Sequence, residues 1–182
     1  MRKKPTQLTP SEDKIYIGID PGKNGGIYFK LGKNYTFFPI PKIGKEYDER
    51  ALFKIFNSHT DSFSEMYAVI EDVHAIYGSS AGATFDFGYG CGLLTGMLVA
   101  CNIPFTKVAP KKWQSQMFEG IPGQTKTSSS GKTIQKDTKK MAEMAAKRLF
   151  PFIDLRATER CKVVHDGKVD ALLICEYCSR NY

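Results

Sequence analysis

Residues 15–29, IYIGIDPGKNGGIYF, decide the fold. Ile15, Ile17 and Ile19 alternate with Tyr16, Gly18 and Asp20, the period of two by which a strand buries one face and turns the other elsewhere. Asp20-Pro21-Gly22 followed by Gly25-Gly26 is turn chemistry. Beyond it, Gly26 to Lys30 and Tyr35 to Ile40 read as two more β-rich runs joined by a short Gly/Asn turn. The stretch therefore predicts a three-strand meander with a carboxylate at the end of its first strand.

Outward from the meander, helix and strand signals alternate. Asp48 suits the N-cap of a helix carrying Leu52, Phe53, Ile55 and Phe56, which yields to the strand Tyr67-Ala68-Val69-Ile70 ending at Glu71. Ala81 to Cys101 reads as a long, small-residue-rich, mostly apolar helix. Phe105 to Val108 reads as a fifth strand, and Pro110 suits the first turn of a helix holding Trp113 and Met117. Residues 119–132, EGIPGQTKTSSSGK, read as a mobile loop within the domain. A basic amphipathic helix follows, with Met141, Ala145 and Leu149 at helical spacing, Lys136, Lys139, Lys140 and Lys147 at other positions, and Pro151 as its stop. Asp166 and Asp170 open a final helix that buries Val169, Leu172, Leu173 and Tyr177. A meander followed by alternation implies an α/β protein, a mixed sheet flanked by helices.

At 182 residues and 42% hydrophobic content the chain suits one core rather than two. Residues 15–182 are expected to form a single domain after a disordered basic leader over 1–14 that carries Pro5 and Pro10. The 26 Lys and Arg against 19 Asp and Glu give a net charge of +7, which favours an anionic partner. Cys91, Cys101, Cys161, Cys175 and Cys178 are odd in number and scattered through apolar runs, which reads as buried thiols in an intracellular, reducing compartment, with no disulfides expected. The Cys175 and Cys178 pair has CxxC spacing but lies within a helical pattern and lacks a second ligand pair, so structural zinc is not expected. No run reaches membrane-spanning length, and no membrane partner is expected.

Asp20, Glu71, Asp166 and Asp170 all lie at the ends of predicted elements. If the strands ending at Asp20 and Glu71 are parallel neighbours, their acids lie side by side, while Asp166 and Asp170, four apart, share a helix face. Four converging carboxylates repel unless a hard divalent ion sits among them with oxygen ligands at about 2.1 Å. A two-metal centre of that kind clamps both the attacking and the leaving oxygen of a phosphodiester. Each signal also has a bland reading: a tight turn at Asp20, a solvated strand end at Glu71-Asp72, a helix cap at Asp166 and a favourable first-turn charge at Asp170.

The chain resembles the RuvC-like Holliday junction resolvases of the ribonuclease H superfamily, particularly their phage and plastid branches. The resemblance rests on IGIDPGKNGGIYF at 17–29, VIEDV at 69–73, GYGCGLLTGMLVACNIPFTKVAPKKWQ at 88–114, DTKKMAEMAAKRLFP at 137–151 and HDGKVDALLICEY at 165–177, in that order. It implies a ribonuclease H-like five-stranded mixed sheet with flanking helices. It also implies a homodimer whose subunits each nick one strand of a four-way DNA junction with Mg²⁺, two per active site, or Mn²⁺ in its place. Under it Asp20 is the first-strand acid, Glu71 the second and Asp170 the helix acid, with Asp166 or His165 as the fourth group. Bacterial members often place that group three residues before the last acid, where this chain has Gly167.

Lys111, Lys112 and Trp113 follow the fifth strand, where DNA would lie, although a partly buried indole and solvated lysines explain them equally. Lys132, Lys136, Lys139 and Lys140 suit phosphate contacts or a plain solvated face. His74 and Tyr77, after Glu71, can stack on an unpaired base or be ordinary loop aromatics. Gly88, Gly90, Gly92 and Gly96 permit close approach of another helix, in the core or across a dimer. Three rivals stand beside the resolvase. A 3′–5′ exonuclease on the same fold fits His165 five residues before Asp170 but lacks a second acid in Asp20-Pro21-Gly22. An actin-like ATPase needs roughly twice the length. A non-catalytic DNA-binding module leaves the acids unexplained.

Overall fold

The structure, a computed structural model, describes residues 14–60, 65–73, 80–128 and 133–182. The elements run β1 (Ile15–Asp20), β2 (Gly26–Leu31), β3 (Asn34–Pro39), β4 (Lys42–Ile43), β5 (Glu46–Tyr47), α1 (Glu49–Thr60), β6 (Met66–Glu71), α2 (Ala81–Ala100), β7 (Phe105–Val108), α3 (Pro110–Met117), β8 (Thr125–Thr127), β9 (Ile134–Lys136), α4 (Thr138–Leu149) and α5 (Asp166–Asn181). Five strands form one mixed sheet in the order β3-β2-β1-β6-β7. The meander β1-β2-β3 is antiparallel, while β6 and β7 join parallel to β1. The expected α/β architecture is borne out.

Strand parity sorts the side chains onto two cores. Ile15, Ile17 and Ile19 of β1 with Ala68 and Ile70 of β6 pack against Leu52 and Phe56 of α1 and Leu94 and Leu98 of α2. Tyr16 and Val69 belong to the other face, which α3, α4 and α5 cover with Trp113, Met141, Ala145, Leu172 and Leu173. Asp48 does cap α1, accepting the Ala51 amide at 2.9 Å. Phe53 is 42% exposed because it falls on the outer face of that helix.

α5 is the helix that fixes the architecture. It is buried on nearly every side from Val169 to Cys178, as a helix sandwiched between a sheet and other helices must be. At Gly18 its backbone lies so close to β1 that any Cβ would collide with the Cys175 amide and the Ala171 carbonyl. The thiols of Cys175 and Cys178 donate to the strand carbonyls of Tyr16 and Tyr67 at 3.3 and 3.4 Å. All five cysteines are free thiols, but only Cys175 and Cys178 are buried as expected; Cys91, Cys101 and Cys161 are partly exposed. At the helix mouth Gly167 leaves no room for a Cβ against the Asn24 carbonyl, which locks α5 onto the β1–β2 turn.

Three secondary-structure features depart from the sequence reading. The segment 119–132 is not wholly a loop, because β8 pairs with β9 as an antiparallel hairpin. Lys136 accordingly lies in β9 rather than on the basic helix, which starts at Thr138 with Asp137 as its cap, accepting the Lys140 amide at 3.2 Å. The pair β4–β5, turning at Gly44 with φ of 65°, was not anticipated; two-residue strands carry no period to read. Of the α2 glycines only Gly90 packs tightly, against Tyr47, while Gly88, Gly92 and Gly96 face open space. The leader, apart from Lys14, lies outside the described residues, and no helix among those described is long and apolar enough to cross a membrane.

Candidate active site

Parity along β1 puts Asp20 on the same face as Tyr16 and Gly18, and parity along β6 puts Glu71 with Tyr67 and Val69. The parallel register, Ile19 opposite Ile70, makes the two acids neighbours at the carboxyl ends of adjacent strands. The tight seat of α5 on Gly18 then carries Asp170, near the start of that helix, over the same end of the sheet. Three elements distant in sequence thus bring acids into one electrostatic neighbourhood.

The energetics of that neighbourhood are unfavourable for anions. Burial raises the Asp20 pKa to about 6, against an opposing hydrogen bond from the Gly22 amide at 3.4 Å and with Asp166 adding to the rise. Burial raises Glu71 to about 7; the indole of Trp113 opposes the shift by donating to Oε1 at 2.8 Å, and Asp20 adds to it. Burial, then the charges of Asp20, Glu71 and Asp166, raise Asp170 to about 8. Desolvation and like-charge repulsion act together here. Lys139, near the start of α4, answers them in part: it pairs with Asp166 and its charge lowers the pKa values of Asp20 and Asp170.

Among the described residues no three His, Cys, Asp or Glu side chains are gathered tightly enough to hold one metal ion. The acids form an open set rather than a closed cage. Their chemistry nonetheless fits a hard divalent cation, because Asp20, Glu71 and Asp170 offer only oxygen donors whose ionisation is disfavoured until positive charge arrives. Asp166 is N1 of α5, so the helix does include it, and the four-residue spacing sets it on the Asp170 face. His165 is the N-cap: its Nδ1 accepts the Lys168 amide at 3.1 Å, leaving Nε2 as its other polar atom.

The expected DNA contacts divide. Lys111 and Lys112 are exposed on the first turn of α3. Trp113, expected nearby as a DNA contact, is 0% exposed, because at position i+4 from it Met117 shares its inward face and both join the core. Lys136 is exposed with its ammonium 5.7 Å from the Phe118 ring, and Lys140 is drawn to Glu143 at 3.3 Å. Lys139 is the lysine brought to the acids. His74, Tyr77 and Lys132 lie outside the described residues. Sequence reasoning missed the Trp113–Glu71 bond, although the i, i+4 pair of Trp and Met just after Pro110 signalled an inward indole, which seeks an acceptor when buried.

No protein-family model matches the chain, and no curated protein matches it in sequence. Solved structures do resemble it. The yeast mitochondrial Holliday junction resolvase superposes with a TM-score of 0.55 at 16% identity, over 95% of this chain and 80% of that one. Thermus thermophilus RuvC gives 0.49 at 14% identity over 88% and 90% of the two chains. The same RuvC in complex with a Holliday junction substrate gives 0.47 at 15% identity over 89% and 90%. The likeness to the yeast protein, together with the strand order, establishes a ribonuclease H-like fold.

Proposed function

We propose that this chain is a structure-selective endodeoxyribonuclease that resolves four-way DNA junctions by paired, metal-dependent nicks. The observation that carries the reading is the trio Asp20, Glu71 and Asp170, three acids held above the ordinary carboxylate range on one sheet end. A fold alone does not set a chemistry, but perturbed acids at one site are a recognised mark of function. The fold likeness to a mitochondrial junction resolvase points the same way.

In this reading residues 15–182 are one nuclease domain working in a reducing compartment. Asp20, Glu71, Asp170 and Asp166 would hold Mg²⁺, or Mn²⁺ in its place, which when bound would supply Lewis-acid stabilisation of the phosphodiester oxygens and make water a better nucleophile. Water adds to phosphorus in line with the leaving 3′ oxygen, giving a 5′ phosphate and a 3′ hydroxyl. Lys111 and Lys112 hold backbone phosphates, with Lys136 and Lys140 extending the basic track. Lys139 exchanges its bond to Asp166 for the incoming phosphate. Asp166, or the Nε2 of His165, orients the water.

Paired nicks call for two copies. The outer face of α2 carries Gly88, Gly92 and Gly96 beside Phe85, 73% exposed, and Val99, 66% exposed, an apolar surface suited to a two-fold contact with itself. Incubation of the protein with labelled four-way junction, matched duplex and single strand, with and without Mg²⁺, tests the reading. Symmetric nicks in the junction alone, only with Mg²⁺, are expected. Shortening of single strands from a 3′ end indicates the exonuclease, binding without any cut the non-catalytic module, and a 20.4 kDa species alone at micromolar concentration removes the dimer.

A further inference from the structure

We propose that Trp113 is a positioning residue of the metal centre: its indole N–H fixes the Glu71 carboxylate in the orientation that accepts a divalent cation. The inference rests on the nuclease reading and assigns within it a residue that touches neither substrate nor metal.

Trp113 is fully buried, so its ring cannot turn without disturbing the core. Phe118 meets the ring edge to face, with centroids 5.9 Å apart, and Met117 packs into the same cluster. An indole has one polar hydrogen, which when buried needs a partner. It is spent on Glu71 Oε1 at 2.8 Å, a charge-assisted bond once Glu71 is ionised. Glutamate has three rotatable side-chain bonds, and a rigid donor on one oxygen selects among their combinations. The other oxygen, Oε2, is then presented in one direction. Outer partners of this kind typically set metal affinity by a factor of 10 to 100. Trp113 also follows Lys111 and Lys112 directly on α3, so the segment that receives phosphate is joined through one rigid ring to a metal-binding carboxylate.

The chain has a single tryptophan, which permits a one-atom test. Biosynthetic replacement of tryptophan by 3-benzothienylalanine exchanges that one indole N–H for sulfur and keeps the ring's shape; Trp113→Phe removes the same donor by mutation. Mn²⁺ binding is measured by calorimetry without DNA, alongside the melting temperature. The sulfur protein is expected to melt close to wild type while its Mn²⁺ affinity falls about tenfold. In the unsubstituted protein, intrinsic fluorescence is expected to change as Mn²⁺ or Mg²⁺ is added. Mn²⁺ affinity that stays within twofold after sulfur substitution overturns the role of Trp113 and leaves the nuclease reading intact. Wild-type protein that binds no divalent cation overturns both.

Discussion

Asp170 and Glu176 lie on the same helix and both are drawn into the fold, yet their surroundings are opposite. At Glu176 burial pushes the pKa up, but Arg180, Lys30 and the Tyr35 hydroxyl outweigh it and hold the group below its ordinary value. Lys30 and Arg180 reach its oxygens at 3.1 and 2.8 Å, and Tyr35 donates at 2.8 Å. At Asp170 burial is reinforced by three further acids, with Lys139 as the opposing charge. One end of α5 is neutralised from within the chain, the other left in deficit. A carboxylate that serves the fold brings its own cations; one that serves chemistry keeps its lone pairs for something that arrives later.

The largest contrast is in rate. Asp20→Asn is expected to lower junction cleavage by about three orders of magnitude or more, with junction affinity unchanged or higher because an anion beside phosphate has gone. Glu176→Gln, at the neutralised end, should leave the rate per folded molecule within about threefold, a loss far below that of a residue in the reacting set. Cleavage by Asp20→Asn at the wild-type rate breaks the comparison at its functional side. Next comes the fourth group: Asp166→Asn is expected to reduce Mg²⁺-supported cleavage about 10- to 100-fold. His165→Ala should cost less in rate but about 1 kcal/mol in stability as a lost cap. A larger rate loss for His165→Ala moves the assignment to the histidine.

Stability should separate the ends by sign. In the metal-free protein Asp20, Glu71 and Asp170 keep protons that the unfolded chain has released. Their contribution is therefore greatest below about pH 4 and is lost as pH rises through about 6, 7 and 8. Asp170→Asn should raise the metal-free melting temperature at pH 8 by on the order of 5 °C and flatten its pH dependence. Glu176 contributes in the other direction, present above its unfolded value near 4.5 and lost as pH falls through the folded one. Glu176→Gln, which removes the counter-charge of the Lys30 ammonium, should lower the melting temperature at pH 7 by a similar amount. Thermal melts of wild type and the two variants in chelator, carried from about pH 2 to pH 9, give both slopes by difference; slopes of the same sign erase the distinction. The smallest effect is outside both ends: Lys111→Ala and Lys112→Ala should each weaken junction binding several-fold and reduce the salt slope by about 1.

The sheet was legible because its rules are local. Ile15, Ile17 and Ile19 announce a half-buried strand, Asp48 and Pro110 announce helix starts, and Asp20 and Glu71 fall at strand ends by simple counting. What stayed hidden depends on partners far away in the chain. Nothing near Glu176 says that Lys30 and Tyr35, more than 140 positions earlier, will neutralise it. Nothing near Asp166 says that Lys139 will arrive 27 positions away. The hairpin β8–β9 escaped because Gly, Ser and Thr around it carry turn signals stronger than a three-residue pairing. Trp113 stayed open between DNA contact and core because position after a strand was weighed equally with the i, i+4 partner that turns it inward.

The seat of α5 on Gly18 also has a meaning for the order in which the protein comes into being. Asp20 leaves the ribosome well before Asp170, which belongs to α5, the helix whose backbone closes directly on β1. A growing chain holds the first two acids long before the third. On the proposed nuclease reading, cutting power is withheld until α5 has cleared the exit tunnel and covered the sheet, because the third acid is absent until then. Ribosome-bound chains arrested before residue 166 should show no Mg²⁺-dependent nicking, and nicking by such a chain would place the chemistry elsewhere.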